Sequence, residues 1–169
     1  LNLTVGEDGS SDNFSVQLDA SPTTPVVLTF SSSDSTEVVP DSATVIFDNV
    51  NWDQPVQIPV RGIGDSIVDG APVSTIAVRV DTLASDAAWV AVAPTNVSVV
   101  TVDDDVAGLF LTDTASFTIG ENGAADTFQV RLATQPLIPV ILLFVSTDTF
   151  EAVPDSASVT FDDTNWTIP

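Results

Sequence analysis

Apolar and polar residues alternate along much of the chain, and this period of two is typical of half-buried β-strands. Six segments have the pattern or a short apolar run of strand length: 14–18, 26–30, 45–47, 56–61, 74–80 and 96–102. Gly, Pro, Asp and Ser separate these segments, and no stretch of ten residues has a helical period. Strands spaced by turn signals predict an all-β protein built as an antiparallel β-sandwich.

An internal repeat is the strongest feature of the sequence. Residues 3–55 and 117–169 align without a gap at an offset of 114, and 27 of the 53 paired positions are identical. The segment "TVGEDGSSDNFSVQL" returns as "TIGENGAADTFQVRL". Such self-similarity predicts two copies of one structural unit in tandem.

The phase of the repeat predicts the domain organisation. The second copy is preceded by "AGLFLTDTAS", residues 107–116, which reads as a strand, whereas the first copy begins at Leu1 without it. We therefore expect one sandwich at 1–105 with its leading strand missing. We expect the first half of a second, truncated copy at 106–169. The whole sequence would then be one part of a longer tandem array. Each complete copy should have about seven strands, since about 100 residues is the usual size of such a unit.

Charge excludes several classes of protein. The chain has 169 residues, three of them basic and 24 acidic, with a net charge of -21. Its hydrophobic fraction of 44% is too high for a disordered acidic tail. The absence of lysine excludes a nucleic-acid partner, because phosphate binding needs basic residues. No apolar run has the length of a membrane span, so we expect no direct membrane insertion.

Missing residue types narrow the chemistry further. The sequence contains no Cys and no His. This excludes thiolate or imidazole zinc sites, a cysteine nucleophile, a histidine base and disulfides. Acidic side chains remain as the candidates for metal ligands.

The acids are distributed unevenly, with twenty Asp against four Glu. The preference of Asp for turns accounts for most of the aspartates. Every glutamate, however, sits at one of two repeat positions: Glu7 pairs with Glu121, and Glu37 pairs with Glu151. Solvation of a surface does not require the longer side chain at fixed positions, whereas a ligand position for a hard cation does.

Two further acidic clusters lie in the first copy. The segment "GDSIVDG" places Asp65 and Asp69 in a turn after a strand, and "VDDDVAG" places Asp103, Asp104 and Asp105 at the end of the last strand. An isolated acidic triplet is most simply a solvated linker. Its position at a domain boundary, beside other placed acids, favours a cation site.

These motifs resemble a known family. "VDDDVAGLF" at a junction, with "VGEDG" after a first strand, is similar to the Calx-β domain of sodium/calcium exchangers, integrin β4 and giant bacterial surface proteins. The stretch "SSSDSTE…PDSATVIFDNVNW" is most similar to long tandem arrays of microbial surface proteins. The resemblance implies an immunoglobulin-like, seven-stranded sandwich that binds Ca²⁺ in the loops at one end.

The resemblance also implies which residues bind Ca²⁺. In the family, one acidic residue follows the first strand and another precedes the fourth strand. A turn supplies an acidic side chain, a backbone carbonyl and a second acidic side chain, and three adjacent acids end the domain. The matching residues are Glu7 and Glu121; Glu37 and Glu151; Asp65, the carbonyl of Ile67, and Asp69; and Asp103, Asp104 and Asp105. The turn is less acidic here than in the exchangers, which favours one or two ions.

The expected function is a non-catalytic, calcium-binding structural or adhesive repeat of a large extracellular or cell-surface filamentous protein. Its partners would be neighbouring repeats of the same chain and other copies of the chain in a filament or surface layer. The alternatives are a calcium-sensing regulatory module and an accessory module of a secreted enzyme. Catalysis is not expected, because no acid lies in an aromatic-lined pattern suggesting a sugar cleft. Four glycosylation sequons hint at secretion: Asn2, Asn13, Asn96 and Asn165.

Overall fold

The computed structural model describes residues 2–112 and 118–169, and these residues form two compact units. The first unit contains the described residues up to Asp65 together with 69–104, and the second contains 66–68 together with the described part of 105–169. The regular secondary structure of the described residues consists of β-strands. None of the described residues belongs to a helix long and apolar enough to cross a membrane.

Two sheets make up the first unit, which confirms the all-β, sandwich-like class. Its eight described strands are β1 (Asn2–Gly6), β2 (Ser11–Val16), β3 (Val26–Ser32), β4 (Val38–Pro40), β5 (Thr44–Phe47), β6 (Val56–Gly62), β7 (Val73–Val80) and β8 (Thr95–Val102). One sheet has the order β1-β8-β7-β3-β5, and the other has the order β2-β6-β4. The repeat pattern and the number of strands per complete copy stay predictions.

One strand pair departs from the antiparallel arrangement expected from the sequence. Strand β1 pairs with β8 in parallel, from Asn2 opposite Ser98 to Gly6 opposite Val102, and the other pairings of the first unit are antiparallel. A parallel pair needs a long connection, and here most of the unit lies between the two strands. The consequence is that the carboxyl ends of β1 and β8 meet at one edge of the sheet.

The core of the first unit follows the predicted alternation. Val26, Leu28 and Phe30 on β3 are buried, and Phe30 meets Phe14 of β2 edge to face with ring centroids 5.9 Å apart. Alternate residues of a strand point to one face, so each inner face supplies one apolar row. Trp52 and Trp89 are partly buried against this core.

Most of the predicted strands match the observed ones within a few residues. The segment expected at 14–18 is shifted, since β2 spans Ser11–Val16. Strands β1 and β4 were not predicted by the alternation, although the resemblance implied a strand before Glu7 and another after Glu37. Strand β4 has only three residues, too few to show a period of two.

The second unit contains four described strands in two small antiparallel sheets. They are β9 (Leu109–Thr112), β10 (Gln129–Leu132), β11 (Val140–Leu143) and β12 (Ser158–Phe161), paired as β9 with β10 and β11 with β12. Of the strand expected at 107–116, residues 113–116 lie outside the described residues. The assignment of 1–105 and 106–169 to two copies of one domain stays a prediction.

Repeat-equivalent residues make equivalent hydrogen bonds in the two units. The N–H of Leu18 donates to the carbonyl of Trp52 at 2.9 Å, and that of Leu132 donates to the carbonyl of Trp166 at 3.0 Å. Glycines 9 and 123 both adopt a positive φ, of 84° and 85°. The local structure of the turns therefore follows the repeated sequence.

Candidate metal site

The parallel pairing of β1 with β8 positions the first two acids of the site. Glu7 follows the last residue of β1, and its N–H donates to the carbonyl of Val102 at 3.1 Å. Asp103 follows Val102, and its N–H donates to the carbonyl of Gly70 at 3.1 Å. Both acids therefore leave the same edge of the sheet.

The end of strand β6 brings Glu37 to the same region as Glu7. Glu37 immediately precedes β4, and its carbonyl accepts a hydrogen bond of 2.8 Å from the N–H of Ile63. A Cβ on Gly64 would lie 2.5 Å from the carbonyl oxygen of Glu7. The segment 62–64 thus touches both glutamate backbones, and Gly64 is needed because no side chain fits there.

The turn that carries Asp65 and Asp69 is fastened to Asp103. One carboxylate oxygen of Asp103 accepts hydrogen bonds from the N–H groups of Asp69, at 2.9 Å, and Gly70, at 2.8 Å. Gly70 has a φ of 93°, in the left-handed region that favours glycine. Asp65 and Asp69 are themselves exposed, at the open side of the site.

Burial distinguishes the two glutamates from the other acids of the cluster. Glu7 is 6% exposed and Glu37 is 8% exposed. The Oε2 atom of each is buried and has no hydrogen-bond partner among the residues that the structure describes. A buried carboxylate oxygen without a partner is strongly unfavourable, so these two atoms indicate a ligand that supplies positive charge.

Burial and the nearby carboxylates shift the pKa of Glu7. The pKa of Glu7 is raised to about 7, chiefly by burial and then by the charges of Asp103, Asp65, Asp69 and Glu37, in that order.

The pKa values of two neighbouring acids are raised as well. Burial raises the pKa of Glu37, with the charge of Asp69 as the next contribution. Burial also raises the pKa of Asp69, followed by the charge of Asp65. The calcium-free cluster therefore disfavours full ionisation.

Thr101 belongs to this site and was missed in the sequence. It is fully buried, and its hydroxyl lies close enough to Glu37 to favour the charged carboxylate. That contact does not reach hydrogen-bond geometry, since the Thr101 hydroxyl has no partner within the described ranges. Val97, Val99 and Thr101 form the inward row of β8. A hydroxyl on an otherwise apolar inward row was the signal available in the sequence.

The acidic triplet is split by the alternation of the chain. Asp103 and Asp105 are half-buried, whereas Asp104 is exposed. Within the first unit, the charge of Asp103 is the largest carboxylate influence on Glu7, and Asp105 belongs to the second unit. Asp104 instead lines a small surface depression with Asp8. Of the triplet, the first unit thus brings Asp103 towards Glu7.

Three other predicted ligands are not brought into this cluster. Ile67 lies in the segment 66–68, forms an isolated β-bridge with Gln135 and belongs to the second unit. Glu121 and Glu151 are exposed. The counterparts of Asp65, Asp69 and Asp103 at the repeat offset fall beyond Pro169, outside the printed sequence.

Many aspartates outside the cluster hold turns, as their preference for turns predicts. Asp48 accepts a hydrogen bond from Val50 at 2.7 Å, and its repeat equivalent Asp162 accepts one from Thr164 at 2.9 Å. Asp86 is the most extensively bonded, since it accepts from Thr23, Thr24 and Ala88. These carboxylates are stabilised locally and need no cation.

The cluster has the chemistry of a calcium site. Ca²⁺ takes six to eight oxygen ligands, and carboxylates supply them most often. Glu7, Glu37 and Asp103 are held by the backbone, with Asp65 and Asp69 beside them. Basic side chains are scarce, because the chain has no lysine and Arg61 forms an ion pair with Asp41 at 3.2 Å. The donor set fits Ca²⁺, while the assignment of the ligands stays a prediction.

Comparison with known proteins gives structural likeness only. No protein-family model matches the chain, and no curated protein matches it. The CupB2 chaperone of Pseudomonas aeruginosa aligns at 6% identity and a TM-score of 0.45, over 62% of this chain and 54% of that chain. The E. coli chaperone DraB aligns at 12% identity and a TM-score of 0.45, over 83% of this chain and 86% of that chain.

Calcium-binding domains are also among the structural neighbours. The calcium binding domain CBD12 of CALX1.1 aligns at 17% identity and a TM-score of 0.40, over 68% of this chain and 46% of that chain. This chain thus spans about half the length of the CupB2 chaperone and of CBD12. At these sequence identities and TM-scores, structural similarity does not indicate the function of this chain.

Proposed function

We propose that the chain is a non-catalytic, calcium-binding structural repeat of a large extracellular or cell-surface filamentous protein. The observation that best supports this proposal is the burial of Glu7 and Glu37. Their Oε2 atoms have no hydrogen-bond partner among the described residues. Burial raises the pKa values of both glutamates, and the charges of Asp65 and Asp69 contribute to both shifts. A bound Ca²⁺ would satisfy these atoms and neutralise the cluster.

The residues proposed to bind Ca²⁺ lie at one end of the first unit, apart from Asp105, which is the next residue of the chain after that unit. Glu7 and Glu37 would supply the buried ligands, Asp103 and Asp105 the half-buried ones, and Asp65 and Asp69 the open side. The carbonyl of Ile67 and the side chain of Asp104 stay in the predicted set without support from burial or contacts.

The structural role follows from the position of the site in the chain. Asp103 lies one residue before the end of the first unit, and only a few residues separate it from β9. An ion bound there would hold the loops from which the chain continues, and it would oppose the repulsion expected from the net charge of -21. We propose that complete repeats, each of about seven strands, form stiff tandem arrays of this kind.

The cell-surface location and the partners are part of the same proposal. The sequons at Asn2, Asn13, Asn96 and Asn165 and the resemblance to microbial surface arrays support an extracellular location. The partners would be neighbouring repeats and other copies of the chain. The absence of catalysis is part of the same proposal, because no acid lies in an aromatic-lined sequence pattern that suggests a sugar cleft.

A calcium titration separates this function from its alternatives. Extracellular modules bind Ca²⁺ with dissociation constants of about 10⁻⁴–10⁻³ M, whereas sensors bind at about 10⁻⁷–10⁻⁵ M. We expect a value in the first range, together with a large calcium-dependent rise in thermal stability. Submicromolar affinity would favour the regulatory module, and no binding at millimolar Ca²⁺ would exclude both.

A further inference from the structure

A tight turn of the second unit contains Asn122 followed by Gly123. The N–H of Gly123 donates to the carbonyl of Gly120 at 2.9 Å, and the N–H of Gly120 donates to the carbonyl of Ala124 at 3.1 Å. Gly123 has a φ of 85°, in the left-handed region that favours glycine. The backbone of the turn is therefore held by its own hydrogen bonds and favours glycine after Asn122.

The side chain of Asn122 is folded back over this turn. Its Oδ1 accepts a hydrogen bond of 3.2 Å from the N–H of Ala124. A Cβ on Gly120 would lie 2.5 Å from the same Oδ1, so the carboxamide lies close to that glycine. A donor at Oδ1 stabilises negative charge that develops there when the carbonyl is attacked. The turn thus makes Cγ of Asn122 more susceptible to a nucleophile.

The backbone nitrogen of Gly123 is a nucleophile next to this carbon in the chain. Its attack on Cγ of Asn122 closes a cyclic imide, and an intramolecular attack needs no collision between separate molecules. Gly123 has no Cβ to obstruct the approach, and both residues are exposed to water. Asn122 is also the only asparagine of the sequence that is followed by glycine.

The first unit contains the same turn with an aspartate in place of the asparagine. Asp8 is the counterpart of Asn122 at the repeat offset, and Gly9 adopts a φ of 84°. The Oδ1 of Asp8 accepts a hydrogen bond of 2.8 Å from the N–H of Ser10. Asp8 and Gly9 are exposed too, so exposure of this turn is common to both units. An aspartate therefore fits the turn as well as an asparagine does.

We propose that Asn122 is a self-modification site, at which the chain converts this asparagine into aspartate and isoaspartate without an enzyme. The nitrogen of Gly123 loses its proton and forms a bond to Cγ of Asn122. The carboxamide C–N bond breaks, and the NH₂ group takes up a proton and leaves as ammonia. Water then opens the cyclic imide at either of its carbonyls. In sum, asparagine and water give aspartate or isoaspartate and ammonia, with no change of oxidation state.

The two products differ in their effect on the turn. The aspartate product adds a negative charge and reproduces the turn of Asp8, so the local structure should remain. The isoaspartate product inserts a methylene group into the main chain before Gly123, which should break the hydrogen bond from Gly123 to Gly120. The reaction goes beyond the proposed function and does not depend on Ca²⁺ binding.

Mass spectrometry of one tryptic peptide measures the reaction against an internal control. Trypsin cleaves after Arg79 and Arg131 and releases residues 80–131 as one peptide. This peptide contains Asn122 and also Asn96, which is exposed but is followed by a β-branched residue. The 169-residue chain is incubated in heavy-oxygen water at pH 8 and digested in ordinary water, so that only conversion during the incubation is labelled. Asn122 should be labelled about tenfold more than Asn96 or better. Equal labelling of the two asparagines would overturn the proposal.

Two matched variants test the role of the attacking nitrogen. Gly123→Ala keeps Asn122 and adds a β-carbon beside this nitrogen, and the added carbon would meet no other atom within 4 Å. Labelling of Asn122 should fall by about tenfold. Because the φ of Gly123 is unfavourable for alanine, Asn122→Gln provides a second variant that keeps the glycine. Its longer side chain would have to close a larger ring, and it should stay unlabelled. Undiminished labelling at position 122 in either variant would overturn the proposal.

The pH dependence and the products distinguish this reaction from direct hydrolysis of the carboxamide. The nitrogen of Gly123 must lose its proton, so labelling of Asn122 should increase from pH 7 to pH 9. Water opens either carbonyl of the cyclic imide, so an isoaspartyl methyltransferase should methylate part of the labelled chain. Labelling that does not increase with pH, or product that contains aspartate without isoaspartate, would overturn the proposal.

Discussion

The main-chain N–H of Glu7 donates a hydrogen bond of 3.1 Å to the carbonyl of Val102. This bond continues the parallel β1–β8 pair by one step and fixes the direction in which both strands end. Glu7 and Asp103 consequently begin at adjacent backbone positions. A sheet contact between residues almost a hundred positions apart thus assembles the centre of the candidate metal site.

Removal of Ca²⁺ should lower the thermal stability of the chain. A ligand that binds only the folded state stabilises it by about 2.7 kcal/mol at a concentration 100 times its Kd. Calorimetric scans in Ca²⁺ and in chelator should therefore give Tm values that differ by about 10 °C or more. Identical Tm values would mean that the acidic cluster does not bind the ion.

Glu7→Gln and Glu37→Gln should each weaken Ca²⁺ binding by roughly tenfold or more, about 1.4 kcal/mol. Each variant removes a buried charged ligand but keeps the shape of the side chain, so the calcium-free fold should remain. Titration calorimetry gives the affinities, and far-UV circular dichroism checks the fold.

The repeat supplies the matched controls for these variants. Glu121→Gln and Glu151→Gln change the same residue type at equivalent repeat positions, but both residues are exposed. They should leave the affinity unchanged. A loss of affinity in the controls as large as in Glu7→Gln would contradict the assignment of the site to the first unit.

The calcium-free chain should lose stability as the pH rises from about 4.5 towards 7. The pKa of Glu7 is raised from 4.5 to about 7 in the folded state, so the folded state binds more protons than the unfolded state in this window. The raised pKa values of Glu37 and Asp69 act in the same direction.

Thermal scans in chelator across this pH range measure the effect. Glu7→Gln should raise the Tm at pH 8 and flatten the dependence, because a neutral amide replaces a buried charge. A calcium-free Tm that increases steadily between pH 5 and pH 8 would contradict the predicted repulsion.

Asp86→Asn should lower stability without changing Ca²⁺ affinity. Hydrogen bonds from Ala88, Thr23 and Thr24 hold the pKa of Asp86 well below its usual range. This contribution is present above pH 3.8 and is lost as the pH falls through the lowered folded value. The Tm of Asp86→Asn should therefore be reduced at pH 7 and approach that of the unsubstituted chain in strong acid. A weakened Ca²⁺ affinity would instead link this loop to the metal site.

Local sequence pattern predicted much of the fold but not its long-range pairing. The alternation at 26–30 and 96–102 identified β3 and β8, because burial of one face requires that pattern. The parallel contact between β1 and β8 could not be read in the same way. Which strand pairs with the edge of β8 depends on contacts between residues that are distant in the sequence. The local pattern of β1 or of β8 alone does not specify this pairing.

The candidate site shows the same division. The repeat pointed to Glu7 and Glu37 because it placed all four glutamates at two positions, and both of these prove to be buried. The repeat could not show that Glu121 and Glu151 are exposed, since exposure depends on the strands that surround each copy. Thr101 was missed because a single threonine in a strand looks ordinary until its neighbours are known.

Titration calorimetry of the 169-residue chain with Ca²⁺ at pH 7 tests the central claim most directly. We predict saturable binding with a Kd of about 10⁻⁴–10⁻³ M. Because the pKa of Glu7 is about 7, binding should also release protons, and the measured heat should change with the ionisation enthalpy of the buffer. Absence of saturable binding up to about 10 mM Ca²⁺, roughly ten times the upper end of that range, would contradict the proposed function.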